Sequence, residues 1–357
     1  LAQAGCGWQL TAAAVNFADS LRPYPFGLML MPPSIGTAAL QSQSALAPTL
    51  LASRATSPNV EPAKPAEREE AEIESESSDS QEEQGRNGDW IYFGWDFTPF
   101  LPYVLSCSTV LGGTGMLFIQ VPLLATNTFI PQVWIMATFA TLYAITFGCM
   151  SYAASVDPGQ VDGDSIDVEK GMPLRAHKSW QYPQPVRRYD HFCRWINNTI
   201  GLHNHREFVI MVGTLLLIAF LGMGIDLVLL SSFLGTIASQ SFAPHDIFSM
   251  VLVALHLGYS FALLKLGGPI LRIHVGLISR NELAQEWKKN THYVANTSMG
   301  DNVPVRDIHD VDEYNELFAK DAFVYDGTKN PFDRGTWRNC LVFWCAPRWT
   351  ADATGEF

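Results

Sequence analysis

Residues 208–230 read FVIMVGTLLLIAFLGMGIDLVLL and contain one charged side chain, Asp226. A transmembrane α-helix needs about 20 apolar residues to cross a hydrocarbon core of roughly 30 Å. This stretch has that length and composition, and membrane helices tolerate its glycines because neighbouring helices satisfy the backbone. The stretch therefore predicts a helix that spans a membrane.

Three further apolar stretches of similar length lie at 100–124, 130–153 and 247–270. The four stretches are much richer in hydrophobic residues than the chain as a whole, whose hydrophobic content is 48%. The alternative is a soluble protein in which these stretches are buried helices. Such a protein would have to bury all four of them in one core. We therefore predict an all-α integral membrane protein with four transmembrane helices.

Lysine and arginine are unevenly distributed among the connecting segments. The loops at 125–132 and 231–244 contain neither residue, whereas the segment 156–207 contains seven. Positive charge in short loops marks the cytosolic side of a membrane. We therefore predict a cytosolic insert between helices two and three, two luminal loops, a cytosolic C-terminal tail and cytosolic termini. Helices of this length suit the Golgi, the endoplasmic reticulum or the plasma membrane.

The remaining composition sets the domain organisation. The net charge of −12 comes largely from 61–83, EPAKPAEREEAEIESESSDSQEE, which is too acidic and too poor in aromatic residues to form a core. The six cysteines form no disulfide framework. The predicted segments are an uncharacterised extension (1–55), an acidic disordered linker (56–90), helices 1 and 2 (91–155), the insert (156–207), helices 3 and 4 (208–277) and the tail (278–357).

Three groups with catalytic potential lie together in the insert, just before the third helix. Asp190, His191 and Cys193 occur within four residues. A cysteine attacks as its thiolate, a neighbouring imidazole can take the proton, and a carboxylate can orient that imidazole. The string alone also fits a surface histidine beside a buried cysteine, so its surroundings decide between the two.

The segment DHFCRWINNTIGLHNHREF (190–208) resembles the motif of the DHHC-type protein S-acyltransferases, the palmitoyltransferases, DHHCPWxNNCxGxxNxxxF. Three further motifs of that family follow the same order. DPG (157–159) comes directly after helix two, ISRNE (278–282) replaces TTxE after helix four, and NPFDRGTWRN (330–339) matches the C-terminal motif. The residues at matching motif positions are Asp157, Pro158, Gly159, Trp195, Asn197, Asn198, Gly201, Asn204, Phe208, Glu282, Asn330 and Asn339.

The resemblance implies a two-step acyl transfer. Cys193 would take the acyl group from a long-chain acyl-CoA and pass it to a protein cysteine, with His191 as base and acid and Asp190 as its orienting partner. The co-substrate is acyl-CoA, the partners are the bilayer and proteins with membrane-proximal cysteines, and neither a cofactor nor nucleic acid is expected. Candidate residues for binding acyl-CoA are Arg187, Arg188, Lys178 and Trp195; positive-inside topology explains the three cations equally well.

The chain departs from the family at its zinc sites. Aligned on Asp190, the eight zinc-ligand positions of the family fall on Ser165, Val168, Lys178, Ser179, Tyr182, Pro185, Phe192 and Thr199. Structural zinc needs thiolate or imidazole ligands, so we expect no zinc in the insert. His177, His203 and His205 could bind a metal weakly with Asp162, Asp164 or Asp167, although solvated or hydrogen-bonded histidines are the simpler interpretation.

Something other than zinc must then support the insert. One hypothesis is a small aromatic and proline core made of Trp180, Tyr182, Pro183, Pro185, Tyr189 and Phe192. The alternative is an insert that packs on the C-terminal tail and is otherwise loose. For the whole chain, the alternative to an enzyme is a catalytically silent membrane adaptor. Asp226 and Lys265 lie near helix ends, so we expect both to reach an interface by snorkelling.

Overall fold

The computed structural model describes residues 91–92, 95–127, 131–161, 173, 175–238, 244–296 and 302–348. The predicted extension at 1–55 and the predicted linker at 56–90 lie outside these residues. Within them, four helical segments are long and apolar enough to cross a membrane, and they confirm the four predicted helices. These segments are Thr98–Thr126, Gln132–Ser155, His205–Ala238 and Asp246–Arg280.

The first segment is composite, and the other three are continuous helices. It contains a 3-10 turn (Thr98–Phe100), α1 (Leu101–Gly115), a π-helical turn (Met116–Gln120) and α2 (Val121–Asn127). The continuous helices are α3 (Gln132–Ser155), α4 (His205–Ala238) and α5 (Pro244–Arg280). At 34 residues α4 is about 51 Å long, which exceeds the thickness of a hydrocarbon core. Part of α4 therefore extends beyond such a core, and its first residue, His205, lies within the predicted insert (156–207).

Short helices and strands occupy the rest of the described chain. The helices are α6 (Ala284–Lys288), α7 (Val311–Ala319) and α8 (Thr336–Cys345). The strands are β1 (Ile91–Tyr92), β2 (Trp95–Asp96), β3 (His191–Cys193), β4 (Asn198–Ile200), β5 (Tyr293–Asn296), β6 (Asn302–Pro304) and β7 (Phe323–Tyr325). They form the antiparallel pairs β1–β2 and β3–β4 and an antiparallel sheet of order β6-β5-β7. The fold is mostly helical, as predicted, with these small sheets in addition.

The insert joins the membrane helices through a close approach of two backbone segments. The segment around Pro158, which follows α3, lies against Gly201, which precedes α4. A Cβ atom at Gly201 would lie 2.6 Å from Val186 Cγ1 and 2.8 Å from the carbonyl oxygen of Pro158. No larger residue fits there without a backbone shift, so glycine at 201 fixes how the insert meets the helix ends.

The predicted aromatic and proline core of the insert is wrong. Trp180 is 37% exposed, Pro183 is exposed, and of the six residues only Tyr189 is fully buried. Aliphatic side chains fill the interior instead, because the hairpin packs against the ends of the long helices. The buried aliphatic residues of the insert are Val161, Val186, Ile196, Ile200 and Leu202.

The two charges within the long helices behave differently. Lys265 is exposed, and its snorkelling to an interface stays a prediction. Asp226 is fully buried, and its Oδ2 lies 2.7 Å from His256 Nδ1 on the neighbouring helix α5. The prediction for Asp226 is therefore wrong, because this carboxylate is buried between two helices and one of its oxygens is hydrogen-bonded across them.

Candidate active site

The β3–β4 hairpin positions the three candidate catalytic groups. His191 pairs with Ile200 and Cys193 pairs with Asn198, while the backbone N–H of Asp190 donates to the carbonyl of Ile200 over 2.9 Å. Side chains two residues apart on a strand point to the same face. The hairpin therefore presents His191 and Cys193 side by side, and its register fixes Asp190 directly before them.

Asp190 and His191 form a short ion pair. Asp190 Oδ2 lies 2.7 Å from His191 Nδ1, and Asp190 is completely buried whereas the His191 side chain is 29% exposed. Burial by itself would raise the pKa of Asp190, but the imidazoles of His205 and His191 outweigh it and hold that pKa far below its usual range. Asp190 is therefore a carboxylate at neutral pH.

His191 connects the carboxylate to the thiol. Burial by itself would lower the pKa of His191, but its hydrogen bonds with Asp190 and Cys193 raise the pKa to about 10. The imidazole consequently holds its second proton at neutral pH. This is the arrangement in which an imidazolium stabilises a neighbouring thiolate.

Cys193 lies where the four membrane-spanning segments converge. It is 7% exposed and belongs to an apolar cluster with residues from every one of those segments. The cluster includes Leu105 of α1, Met150 of α3, Phe208 of α4 and Ile278 of α5. Cys193 thus borders an apolar environment formed by the four segments.

Two further histidines surround Asp190. His205, the first residue of α4, places Nε2 4.0 Å from Asp190 Oδ2 and 3.4 Å from His274 Nδ1 on α5. Both histidines are buried. Among the described residues, Asp190, His205 and His274 are also the group whose ligand atoms lie close enough together, within 4.8 Å, to hold a metal ion.

The segment that follows α5 holds the insert from the other side. The backbone N–H of Ala284 donates to Asp190 Oδ1 over 2.8 Å. Arg175, which is buried, makes two hydrogen bonds to the carboxylate of Glu286 at 2.7 and 2.6 Å and one to the carbonyl of Asn281 at 2.7 Å. Arg188 donates to Asn281 Oδ1 over 2.9 Å. We call these three residues, Arg175, Asn281 and Glu286, the insert–tail clamp.

The asparagines of the sequence motifs bind the last carbonyls of the membrane helices, which no intrahelical donor reaches. Asn198 Nδ2 donates to the carbonyls of Ala153 and Val156 at 2.9 and 3.0 Å at the end of α3. Asn204 Nδ2 donates to the backbone carbonyl of Ala153 over 3.3 Å and to that of Thr199 over 2.8 Å.

The same pattern occurs at the end of α5. Asn330 Nδ2 donates to the carbonyl of Arg280 over 2.8 Å, and Asn339 Nδ2 donates to that of Ser279 over 2.9 Å. These predicted motif residues therefore fix the insert and the tail to the helix ends at which the reactive groups lie.

The other predicted motif residues have structural contacts. Asp157 Oδ1 accepts a hydrogen bond from the backbone N–H of Gly159 over 2.8 Å. The carbonyl of Gly159 accepts one from the backbone N–H of Arg187, also over 2.8 Å. Asn197 has a positive φ of 52° at the hairpin turn. Glu282 is buried and accepts from Arg280 Nε over 3.0 Å. Pro158 accepts from the backbone N–H of His203, and Trp195 packs against the cluster around Cys193.

The predicted acyl-CoA cations differ in exposure. Lys178 is exposed and Arg187 is half-buried. Arg188 is only 3% exposed, and burial and the nearby Arg175 lower its pKa to about 9. The guanidinium of Arg188 is therefore turned into the protein toward Asn281, and only Lys178 and Arg187 can meet a phosphate at the surface.

The residues at the zinc positions do not fit zinc. Positions 165 and 168 lie outside the described residues. Of the other positions, Ser179 and Thr199 are hydrogen-bonded to each other through their hydroxyl oxygens at 3.1 Å. The Tyr182 hydroxyl donates to Asn198 Oδ1 over 2.6 Å. The Phe192 ring packs edge-on against the Trp180 ring, with centroids 5.0 Å apart. Lys178 is exposed and Pro185 has no ligand atom in its side chain. None of these six side chains supplies the thiolate or imidazole that a structural zinc needs.

Several residues of the site escape sequence reasoning. Arg175, Ala284 and Glu286 belong to no recognised motif, and Asn281 occupies the variable position of ISRNE (278–282). These residues meet only after the insert packs on the tail. His205 was considered only as a weak metal ligand. His274 gave a signal that could have been used, because an ionisable residue within a membrane helix marks a functional site by default.

Several known proteins are similar to this chain in sequence. Residues 168–291 match the family described as DHHC palmitoyltransferase. The chain is 28% identical to palmitoyltransferase ZDHHC12 of Mus musculus over 177 residues, which cover 49% of this chain and 52% of the relative. It is 27% identical to palmitoyltransferase AKR1 of Yarrowia lipolytica over 144 residues (33% of this chain, 20% of the relative) and 43% identical to AKR1 of Naumovozyma castellii over 56 residues (15% and 7%).

Proposed function

We propose that the chain transfers long-chain acyl groups from acyl-CoA, through a thioester at Cys193, to cysteines of other proteins. The match of residues 168–291 to the DHHC palmitoyltransferase family supports this proposal. The matched region spans about half the length of the mouse relative, so the activity of the whole protein is part of this proposal. The observation that carries it is the chain of contacts from Asp190 through His191 to Cys193 at the point where four apolar segments converge.

The first step forms the acyl-enzyme. The Cys193 thiolate attacks the carbonyl carbon of the acyl-CoA thioester, and the bond between that carbon and the CoA sulfur breaks. The departing CoA thiolate takes the proton from the His191 imidazolium. Asp190 stays ionised throughout and keeps the imidazole in the orientation in which its second nitrogen faces Cys193.

The second step releases the acyl group. Neutral His191 takes the proton from the thiol of a substrate cysteine, and the resulting thiolate attacks the Cys193 thioester. The Cys193 thiolate leaves and is again stabilised by the imidazolium. No oxidant, reductant or metal is required, because one thioester is exchanged for another.

The surroundings of Cys193 suit a long acyl chain and a charged carrier. Each buried methylene contributes about 0.8 kcal/mol, so an apolar environment such as that around Phe208 favours a chain of palmitate length. Lys178 and Arg187 provide positive charge for the CoA phosphates, and Trp195, which packs beside Cys193, remains a candidate contact of the acyl group.

The proposal includes a cytosolic insert that folds without zinc. Two connections that need no metal support this part of the proposal. The insert–tail clamp joins the insert to the tail, and the Ser179–Thr199 hydrogen bond joins two of the zinc-ligand positions within the insert. The excess of lysine and arginine in 156–207 supports a cytosolic insert and cytosolic termini in an endomembrane or the plasma membrane. Acyl-CoA and membrane-proximal cysteines of cytosolic proteins are then within reach.

A pulse–chase experiment with purified protein tests the enzyme against a silent adaptor. The protein is loaded with a clickable palmitoyl-CoA analogue, excess analogue is removed, and a peptide with a membrane-proximal cysteine is added. We expect label to move to the peptide and to be released by neutral hydroxylamine. Cys193→Ser should neither load nor transfer, whereas Cys345→Ser, which changes an exposed cysteine of α8, should do both. A parent protein that never loads would indicate the adaptor.

A further inference from the structure

His205 and His274 are two buried imidazoles that the acyl-transfer chemistry does not use directly. His205 is 3% exposed and His274 is 6% exposed. They come from different membrane-spanning segments, yet their nearest nitrogens are 3.4 Å apart and one of these lies 4.0 Å from Asp190 Oδ2. Because these two imidazoles lie beside Asp190, they can affect how Asp190 orients His191.

Ring packing locks this pair in position. The His205 ring packs edge-on against Phe343 of α8 at 5.1 Å, and the His274 ring packs against Phe208 at 5.1 Å. The His274 ring also lies 5.6 Å from the His191 ring. The two imidazoles therefore cannot swing away from Asp190 without disrupting aromatic contacts on three sides.

The hydrogen-bonding environment selects one tautomer of His205. No group of the described protein lies within hydrogen-bonding reach of His205 Nδ1. A buried N–H without an acceptor costs more than a buried lone pair, and a lone pair on Nε2 would face the Asp190 carboxylate. Both effects favour the proton on Nε2, where it points toward Asp190 and donates to His274 Nδ1.

We propose that His205 and His274 are positioning residues that hold the Asp190 carboxylate from behind, so that Asp190 in turn holds His191 ready to pair with the Cys193 thiolate. This inference rests on the proposed acyl transfer but adds residues to its machinery. The carboxylate then has a partner on each side: Ala284 N–H on Oδ1, His191 on Oδ2, and the Nε2–H dipole of His205 facing Oδ2.

The pair acts on a crowded set of charges, so its effect should appear in the dependence on pH. The ionisable groups that interact with Asp190 are Arg188 and His191 in the insert, His205 on α4 and His274 on α5. Cys193 interacts with His191, and Arg206 and Glu286 interact with Arg188. Without the Nε2–H of His205, Asp190 would hold His191 less firmly, and Cys193 would react more slowly at a given pH.

Two substitutions at His205 separate positioning from packing. His205→Gln retains an N–H donor near the position of Nε2, whereas His205→Phe retains a ring but no donor. We expect alkylation of Cys193 by iodoacetamide at pH 7, followed by mass spectrometry of its peptide, to slow about tenfold in His205→Phe, a fraction of the ~10²–10⁴ that a positioned acid–base group contributes. The pH–rate profile should move to higher pH, whereas His205→Gln should stay within about threefold of the parent.

A cycle with Asp190→Asn completes the test. If His205 acts through Asp190, His205→Phe should add no further slowing once Asp190 is Asn. Equal slowing in the Gln and Phe variants, or slowing by Phe that persists in the Asp190→Asn background, would overturn the proposal. Alkylation requires no acyl-CoA, so a protein that fails to transfer acyl groups but shows this cycle would refute the proposed function and retain the positioning role.

Discussion

The insert–tail clamp gives the sharpest prediction about what stabilises the insert. The perturbation is Glu286→Gln, which removes the charge that pairs with Arg175 and keeps the shape of the side chain. The Arg175 side chain is 1% exposed and that of Glu286 is 17% exposed. The variant therefore leaves a buried guanidinium without its counter-ion.

The magnitude follows from the pKa of Glu286. Burial alone would raise that pKa, but the imidazole of His292, 3.8 Å away, and the hydrogen bonds from Arg175 lower it from 4.5 to about 2. A shift of this size corresponds to about 3 kcal/mol of stability. The range for breaking a buried ion pair is similar, about 3–5 kcal/mol. With an unfolding entropy of about 2.1 cal/mol/K per residue, a loss of about 3 kcal/mol lowers Tm by roughly 4 °C in a chain of 357 residues.

The sign of the pH dependence is fixed by the lowered pKa. A depressed carboxyl pKa stabilises the fold above pH 4.5, and this contribution is lost as the pH falls through about 2. The difference in Tm between the parent and Glu286→Gln should therefore be largest at neutral pH and shrink progressively below pH 4.5.

Thermal unfolding of the detergent-solubilised protein, followed by tryptophan fluorescence, measures this difference. Glu316→Gln is the matched control, because its partner Lys320 and Glu316 itself are both exposed on α7. We expect no measurable change in Tm for the control. A Glu286→Gln protein that melts with the parent, or a control that loses as much, would refute the claim that the clamp supports the insert.

Three further predictions concern the metal, the topology and the backbone. Elemental analysis of purified protein should find well under one equivalent of zinc, and chelators should change neither Tm nor self-acylation; two tightly held equivalents would contradict the alignment of the insert. A cysteine introduced at Thr126, or at Ser239 outside the described residues, should lie on the luminal side. In sealed vesicles with the cytosolic side outward, it should therefore resist a membrane-impermeant thiol reagent. Ready labelling would contradict the predicted topology. Gly201→Ala should cost about 1–3 kcal/mol by overpacking against Val186, whereas Gly224→Ala, with no neighbour within 4 Å, should not lower Tm; equal effects would contradict the close approach.

Hydropathy was sufficient to predict the long helices, because a membrane span is a local property of about 20 consecutive residues. It missed the length of α5, which continues through Pro269 to Arg280. The local sequence pattern also predicted the grouping of Asp190, His191 and Cys193, because the three residues are close together in the sequence and lie on one short hairpin. The order of the asparagine motifs identified Asn198 and Asn339 but not their shared role of binding helix-end carbonyls.

Contacts between distant parts of the chain could not be predicted. The Arg175–Glu286 pair joins residues 111 positions apart, and the His205–His274 contact joins residues 69 positions apart. Arg188 was expected at the surface because its positive charge resembles that of Arg187, yet alternation along the chain turned one inward. The hydrogen-bond partner of Asp226 lies on another helix, so it could not be predicted from the residues around position 226.

The acyl-enzyme itself is the most direct test of the account. The purified protein should be incubated with palmitoyl-CoA in the presence of a zinc chelator, digested, and the peptide that contains Cys193 analysed by mass spectrometry. The account predicts a palmitoyl thioester on Cys193 that neutral hydroxylamine removes, that forms much more slowly in His191→Ala, and that persists when zinc is chelated. An acyl group found only on Cys340 or Cys345, with Cys193 unmodified, would contradict it.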